Sequence, residues 1–385
     1  MNLICLVLCL VVCLLNTITG SFASQGAVYR WKTGDGEIYH QNVSGGGKWE
    51  RTRLSGASWF GFETQDFVVN GLWVNSMDTY IEKLKDIGVN ILRVPFSAEW
   101  IIYNWDLYPY DKLISADPLL AGKTSLQILD TLFEKTAAHG IGIMLDLHRL
   151  HKEYISELWY SPTDNQYTTD TFFQTWYAIL DHVLVTKNYS NLIAIDLLNE
   201  PHGSATWGSN DRSTDWRLFV EDVIPRIAGR YASLPPFLFF VEGIEWGHTF
   251  RYWNDRDAPL ILSEPLMSRV VFSPHTYGKS VVSSTPTEYD ILVQNWNSDF
   301  GFLRLIGYPV AVGEWGGITS LDTDWMNNLV RYLRAYNMTN QFFWSLGPNS
   351  GDVQGILLDD WSTIDPFKKG VMHTLVPSPT HFVFS

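Results

Sequence analysis

From about residue 56 onward the chain alternates between two hydrophobic periods. Short unbroken apolar runs, which read as fully buried strands, are followed by longer stretches with apolar residues three and four apart, which read as helices. Gly56 to Gly61 opens the series as a strand. Met77 to Ile87 then places Tyr80, Ile81, Leu84 and Ile87 on one helical face, and Gly88 ends it. Val89–Pro95 reads as strand and Ser125–His139 as helix, followed by strand Ile141–Leu147, helix Asp170–Thr186 and strand Leu192–Asn199. The second half gives helix Thr214–Tyr231, strands Phe237–Val241 and Arg269–Pro274, and helix Tyr289–Ile306. Strand Pro309–Gly313, helix Asp324–Tyr336 and strand Gln341–Leu346 close the series. Apolar strands alternating with amphipathic helices call for a parallel sheet covered by helices, and eight such strands predict one closed (β/α)8 TIM barrel of the α/β class. Before it, Val28–Arg53 has the turn residues of a small N-terminal β-hairpin, Gly34-Asp35-Gly36, and a loose loop at Gly45-Gly46-Gly47.

Two of the apolar runs stop abruptly on an acid. One is Ile195-Asp196-Leu197-Leu198-Asn199-Glu200-Pro201-His202, the other Pro309-Val310-Ala311-Val312-Gly313-Glu314-Trp315. In a barrel of this kind the carboxyl ends of the strands form the active-site rim. Arg93, His148, Asn199, Glu200, Glu242, His275, Tyr277, Glu314 and Trp344 all fall at or just beyond such ends. The fourth and seventh strands face each other across the mouth, so Glu200 and Glu314 form a candidate facing pair. Two facing carboxyls are the equipment for cleaving a glycosidic bond, one protonating the departing oxygen and the other acting on the opposite face of the sugar.

The amino terminus and the charge narrow the setting. Residues 1–23 carry no charged side chain, and Leu3–Leu15 is an apolar run too short to span a bilayer comfortably. Ser21-Phe22-Ala23 supplies small residues for cleavage, so residues 1–23 read as a secretory signal and residues 24–385 as the barrel unit, with 24–54 as its hairpin cap. Cys5, Cys9 and Cys13 all lie in that leader, leaving the expected mature chain without disulfide, thiolate metal site or thiol nucleophile. Sequons at Asn42, Asn188 and Asn337 fit a secreted glycoprotein. The net charge of −14 argues against nucleic acid, anionic lipid or acidic polysaccharide as partners. A neutral ligand fits better, and the seventeen tryptophans offer flat apolar rings suited to sugar faces.

The chain resembles glycoside hydrolase family 5, in particular its branch of secreted cellulases found mostly in bacteria. The likeness spans nearly the whole expected mature chain. It is carried in order by Trp59-Phe60-Gly61-Phe62-Glu63-Thr64, Leu92-Arg93-Val94-Pro95, Leu145-Asp146-Leu147-His148-Arg149, Leu198-Asn199-Glu200-Pro201-His202, Phe240-Val241-Glu242-Gly243, Pro274-His275-Thr276-Tyr277, Gly313-Glu314-Trp315-Gly316 and Phe343-Trp344-Ser345. The resemblance implies a retaining endo-β-1,4-glucanase, with Glu200 as general acid/base and Glu314 as nucleophile. It further implies that Asn199 binds the 2-hydroxyl of the sugar being cleaved, Arg93 sits beside Glu314, and His275 lies near Glu200. Tyr277 would donate to Glu314, His148 would hold a sugar hydroxyl, Trp344 would floor the site and Trp59 would be a further platform. Trp159, Trp207, Trp246 and Trp253 are weaker loop candidates. The chain departs from the family pattern at Leu346, where a second tryptophan is usual, and at Leu147, where arginine is common.

No cofactor is expected. His148, His151 and Glu153 do not have the spacing of a helical zinc motif, so no metal is expected either. The expected partner is a β-glucan polysaccharide or oligosaccharide, and the expected state is a secreted monomer, free of the membrane once the leader is removed. Two other readings stay open: the same chemistry on mannan, xylan or mixed-linkage glucan, and a non-catalytic carbohydrate-binding protein. Trp31, Trp49, Trp216, Trp361 and the tail from His381 to Phe384 read as packing residues, the last two against the barrel bottom.

Overall fold

The computed structural model describes residues 28–384. The expected leader lies outside the described residues. Three short strands, β1 (Tyr29–Gly34), β2 (Glu37–Asn42) and β3 (Glu50–Arg51), form an antiparallel sheet, one strand more than the expected hairpin. Eight parallel strands follow: β4 (Ser55–Ser58), β5 (Ile91–Ser97), β6 (Gly142–Arg149), β7 (Leu192–Asp196), β8 (Leu238–Val241), β9 (Val270–Phe272), β10 (Val312–Trp315) and β11 (Gln341–Phe343). They are hydrogen-bonded in sequence, with β11 returning to β4. The ring closes between β9 and β10 through the bridges Phe272–Val310 and His275–Glu314.

The helices form where the 3.6-residue pattern places them, and several begin with side-chain caps. Helix α1 (Met77–Ile87) starts at Ser76, whose side chain accepts the Thr79 N–H. It ends at Gly88, whose φ of 89° is the left-handed conformation that side chains disfavour. Helix α2 (Ser125–Ala138) opens with a reciprocal Thr124–Gln127 capping box. Helices α3 (Thr169–Leu180), α4 (Trp216–Arg230), α5 (Tyr289–Trp296) and α6 (Thr319–Ala335) complete the coat. A further helix, α7 (Pro366–Leu375), was not expected from the pattern. Its run Phe367-Lys368-Lys369-Gly370 looks exposed in sequence, yet Lys368 is buried and donates to the carbonyls of Val353 and Gly355.

Every residue of β5 is buried, as is every residue of β7 and β8, because a parallel barrel strand faces helices outside and other strands inside. Side-chain alternation divides the interior into floors. Ile91, Met144, Ala194, Phe240, Val271, Ala311 and Phe342 belong to one apolar cluster in the lower barrel. The next inward positions on five of these strands are Arg93, Asp146, Asp196, Glu242 and Trp344. The change from oil to charge thus occurs over one step of each strand.

The bottom of the barrel is plugged by aromatic residues from the small sheet and from the tail. Tyr29, Trp31 and His40 of the small sheet meet Phe382, and Tyr29 also meets Phe384, largely edge to face at centroid distances of 5.5–5.7 Å. Thr380 is tied to Arg53 by two backbone-directed hydrogen bonds. The tail therefore packs at the bottom, as expected. Trp361 does not: it lies in the loop after β11, on the opposite face, against Trp73 and Tyr80. A loop that follows a strand must emerge at the carboxyl end, which is the physical reason for that correction.

Candidate active site

The carboxyl ends of the strands open into a cleft of about 770 Å³ whose walls include His148, Glu200, His275, Tyr277, Glu314 and Trp344. Glu314 reaches it through an irregularity in β10. The pairing with β11 shifts between Val312 and Trp315, and both of these pack outward in the main core, leaving Gly313 and Glu314 to face inward. Glu200 follows β7 with a φ of 52°, a left-handed conformation rare for a residue with a side chain, and its backbone N–H donates to Glu242 Oε2 at 2.7 Å. One oxygen of Glu200, one of Glu314 and a His275 ring nitrogen all lie within 4.8 Å of one another.

Beneath the pair, Arg93 is fully buried and contacts four acids. It pairs with Glu314, with Asp146 at 3.0 Å, Asp196 at 3.1 Å and Glu242 at 3.4 Å. It also donates to Asn199 Oδ1 at 3.0 Å. Arg93 sits beside Glu314, where the resemblance puts it, but it has no exposed surface with which to touch a substrate, and it acts from below as a charge partner. Asn199 is held by Arg93 through its oxygen, while its Nδ2 has no hydrogen-bond partner among the described residues. A buried amide donor without a partner is costly, and a ligand hydroxyl would relieve it.

His275 stands between the acids. Its Nδ1 is 3.1 Å from Glu200 Oε1, and its Nε2 forms an ion pair with Glu242 Oε1 at 3.1 Å. Burial disfavours its charge, but Glu242, Glu314 and the contact with Glu200 outweigh burial and hold the imidazole protonated well above its ordinary range. His148 differs: burial lowers it well below that range, so the ring is neutral, with Nδ1 on Asp146 Oδ2 at 2.7 Å. It stacks on Trp344 at 5.2 Å with the planes 4° apart. Phe60 stacks on the same tryptophan at 5.4 Å.

The two facing glutamates are driven apart. Burial, with the neighbouring charges of Glu314 and Glu242, raises Glu200 to about 7 despite the opposing pull of His275. Glu314 is buried too, but His275, Arg93 and the 2.6 Å hydrogen bond from the Tyr277 hydroxyl more than offset burial and lower it. Five carboxyls (Asp146, Asp196, Glu200, Glu242 and Glu314) share two buried cations, Arg93 and His275. Burial also raises Asp146 and Asp196 to about 7 and Glu242 to about 8. Two trios, Asp196–Glu242–His275 and Glu200–His275–Glu314, have the spacing of a cation site. Arg93 already contacts Asp196, Glu242 and Glu314, so a fixed positive charge fills that role.

The structure therefore brings together Glu200, Glu314, Asn199, His148, His275, Tyr277 and Trp344, with Arg93 under them. It does not bring Trp59, which is buried, packs on Tyr80 and donates its indole N–H to the Asn70 carbonyl. Among the loop tryptophans, Trp159, Trp207 and Trp253 are buried in the core, and only Trp246 lines the cleft. Trp31 and Trp216 are packing residues as expected, whereas Trp49 is partly exposed beneath Lys32. Asp146 and Asp196 were not among the expected site residues, and Glu242 was expected at the rim without a role. Acids inside fully apolar strands were the available signal.

Known proteins agree with this architecture. The family model of cellulase (glycosyl hydrolase family 5) matches residues 48–350. An endoglucanase of Paenibacillus polymyxa is 36% identical over 329 residues, covering 80% of this chain and 79% of its own. The major extracellular endoglucanase of Xanthomonas campestris is 33% identical over 348 residues, covering 84% of this chain and 67% of its own. Among solved structures, the hyperthermophilic endocellulase of the archaeon Pyrococcus horikoshii superposes with a TM-score of 0.81 at 31% identity, covering 91% of this chain and 99% of that one. With the strand-end carboxyls, the barrel and these matches in agreement, the chain belongs to glycosyl hydrolase family 5, the cellulases.

Proposed function

We propose that the protein is a retaining endo-β-1,4-glucanase that cleaves β-1,4-glucosidic bonds by double displacement. One observation carries this reading: two facing carboxyls within 4.8 Å whose surroundings drive their acidities in opposite directions. Retaining enzymes hold their carboxyls about 5–5.5 Å apart, whereas inverting ones leave room for a water. Glu200, raised to about 7, holds a proton for the departing oxygen. Glu314, kept ionised by Arg93 and Tyr277, attacks the anomeric carbon, and Glu200 then takes a proton from the water that releases the sugar. The unpartnered Asn199 amide is placed to donate to a sugar hydroxyl, and Trp344, flanked by His148 and Phe60, supports the ring.

The printed activities of the relatives support the same substrate. Complexes of the Pyrococcus horikoshii endocellulase contain cellotetraose, two of them in variants with a glutamate replaced by alanine. Secretion of this chain, with residues 1–23 as its leader and residues 24–385 as the mature unit, fits the extracellular Xanthomonas relative. No helix among the described residues is long and apolar enough to cross a membrane. Hydrolysis of cellotetraose followed by proton NMR tests the mechanism. The β-anomer should appear first; initial α-anomer would exclude a retaining mechanism.

A further inference from the structure

Trp246 is a large apolar side chain that the fold leaves in the open at evident cost. It is 53% exposed and lines the same cleft as Glu200. The loop Glu245-Trp246-Gly247 runs through three consecutive left-handed residues, with φ of 56°, 64° and 70°. Two of these carry side chains, which rarely adopt that conformation. The strained turn is braced on every side. The Trp246 N–H donates to the Pro201 carbonyl at 3.1 Å. The Glu245 carboxylate accepts from the Tyr252 hydroxyl at 2.7 Å and pairs with Arg251 at 3.2 Å.

One face of the indole is already taken. His202 lies flat against it, with centroids 3.4 Å apart and planes 12° from parallel. That imidazole is itself fixed by a 2.7 Å hydrogen bond between its Nδ1 and the Glu200 carbonyl. Trp246 is thus held beside Glu200 by two contacts, its backbone N–H on the carbonyl of the next residue, Pro201, and its ring stacked on His202, which is bonded to the Glu200 carbonyl. Its other face looks into the cleft. A rigid aromatic plane, backed on one side and open on the other, matches the apolar face of a pyranose.

We propose that the open face of Trp246 is the stacking platform for the glucosyl unit on the leaving-group side of the scissile bond. The proposal deepens the reading above and rests on Glu200 being the proton donor. The donor protonates the oxygen that departs with that sugar, so a platform tied to the donor's own backbone holds the leaving sugar in register with the proton. Trp344, stacked on His148, then serves the sugar that becomes bonded to Glu314. The two tryptophans thereby divide the chain between them at the point of cleavage.

The test compares kcat/KM of the full chain on cellotetraose and on an aryl β-cellobioside, whose leaving group is a phenol with no sugar to stack. Trp246→Ala should lower the ratio of cellotetraose to aryl-cellobioside efficiency by about tenfold, the scale of one apolar contact, chiefly through KM. Trp246→Phe, which keeps a flat ring, should restore most of the ratio. An equal loss on both substrates, or no loss on either, overturns the platform. Failure of the underlying reading looks different: Glu200→Gln would then cleave cellotetraose at the wild-type rate, whatever the ratio shown by Trp246→Ala.

Discussion

The two ends of the barrel interior are built on opposite principles. At the bottom, Trp31, Ile38, Phe382 and their neighbours are apolar, buried and in contact with one another. At the top, one step along the strands, five carboxyls crowd two cations, a buried amide lacks a partner and the backbone bends into left-handed conformations. The bottom is arranged for burial alone. The top tolerates repulsion and strain because unequal acidities arise only where charges are packed tightly away from water. The difference teaches where substitutions should change stability and where they should change chemistry.

The sharpest break in the comparison is Glu314→Ala. It should abolish hydrolysis of a soluble cellulose derivative, by about a thousandfold or more, while circular dichroism reports an intact fold. Full activity in that variant would sink the nucleophile assignment. Arg93→Met should touch both properties at once, because it leaves Asp146, Asp196, Glu242 and Glu314 without their buried cation. Denaturant unfolding should show a loss of about 3–5 kcal/mol. The acid limb of the activity profile should also move to higher pH, since Glu314 loses a charge that lowers it.

At the other end, Phe382→Ala removes a buried ring from the bottom plug and should cost about 3 kcal/mol of stability. The kcat/KM on cellotetraose should stay within about twofold; a large drop would mean that the two ends are coupled. The smallest intervention is pH itself. Glu200 must be protonated to act and is raised to about 7, so kcat/KM should fall as pH rises through about 7. Glu314 must be ionised and is lowered, so activity should persist below the ordinary glutamate range. An alkaline limb centred at about pH 5 would mean that Glu200 is an ordinary glutamate.

Much of this was legible in the sequence. The alternating periods gave the barrel, the exact span of Met77–Ile87, and Glu200 and Glu314 as acids on opposed strand ends. The boundaries slipped where pairing depends on the partner strand: only Val270–Phe272 of Arg269–Pro274 pairs as continuous strand. The charged floor was missed because Asp146 and Asp196 sit within runs read as apolar blocks. Counting every second residue from Met144 and Ala194 would have exposed them as inward-facing acids. Trp59 was misplaced because a strand-end tryptophan can turn either way. Its indole N–H finds the Asn70 carbonyl inside the wall, a contact between residues whose spacing carries no signal. The charge of His275 was likewise illegible, since it depends on Glu242 and Glu314, distant in sequence.

The aromatic plug has a practical consequence. Tyr29 and Phe384 touch each other at the end of the barrel opposite the cleft. A tether to a bead, an electrode or a second enzyme on the exposed Val383 beside them would leave from the rear of the molecule. The mouth would then face outward, so that immobilised protein would meet long polymer strands unobstructed.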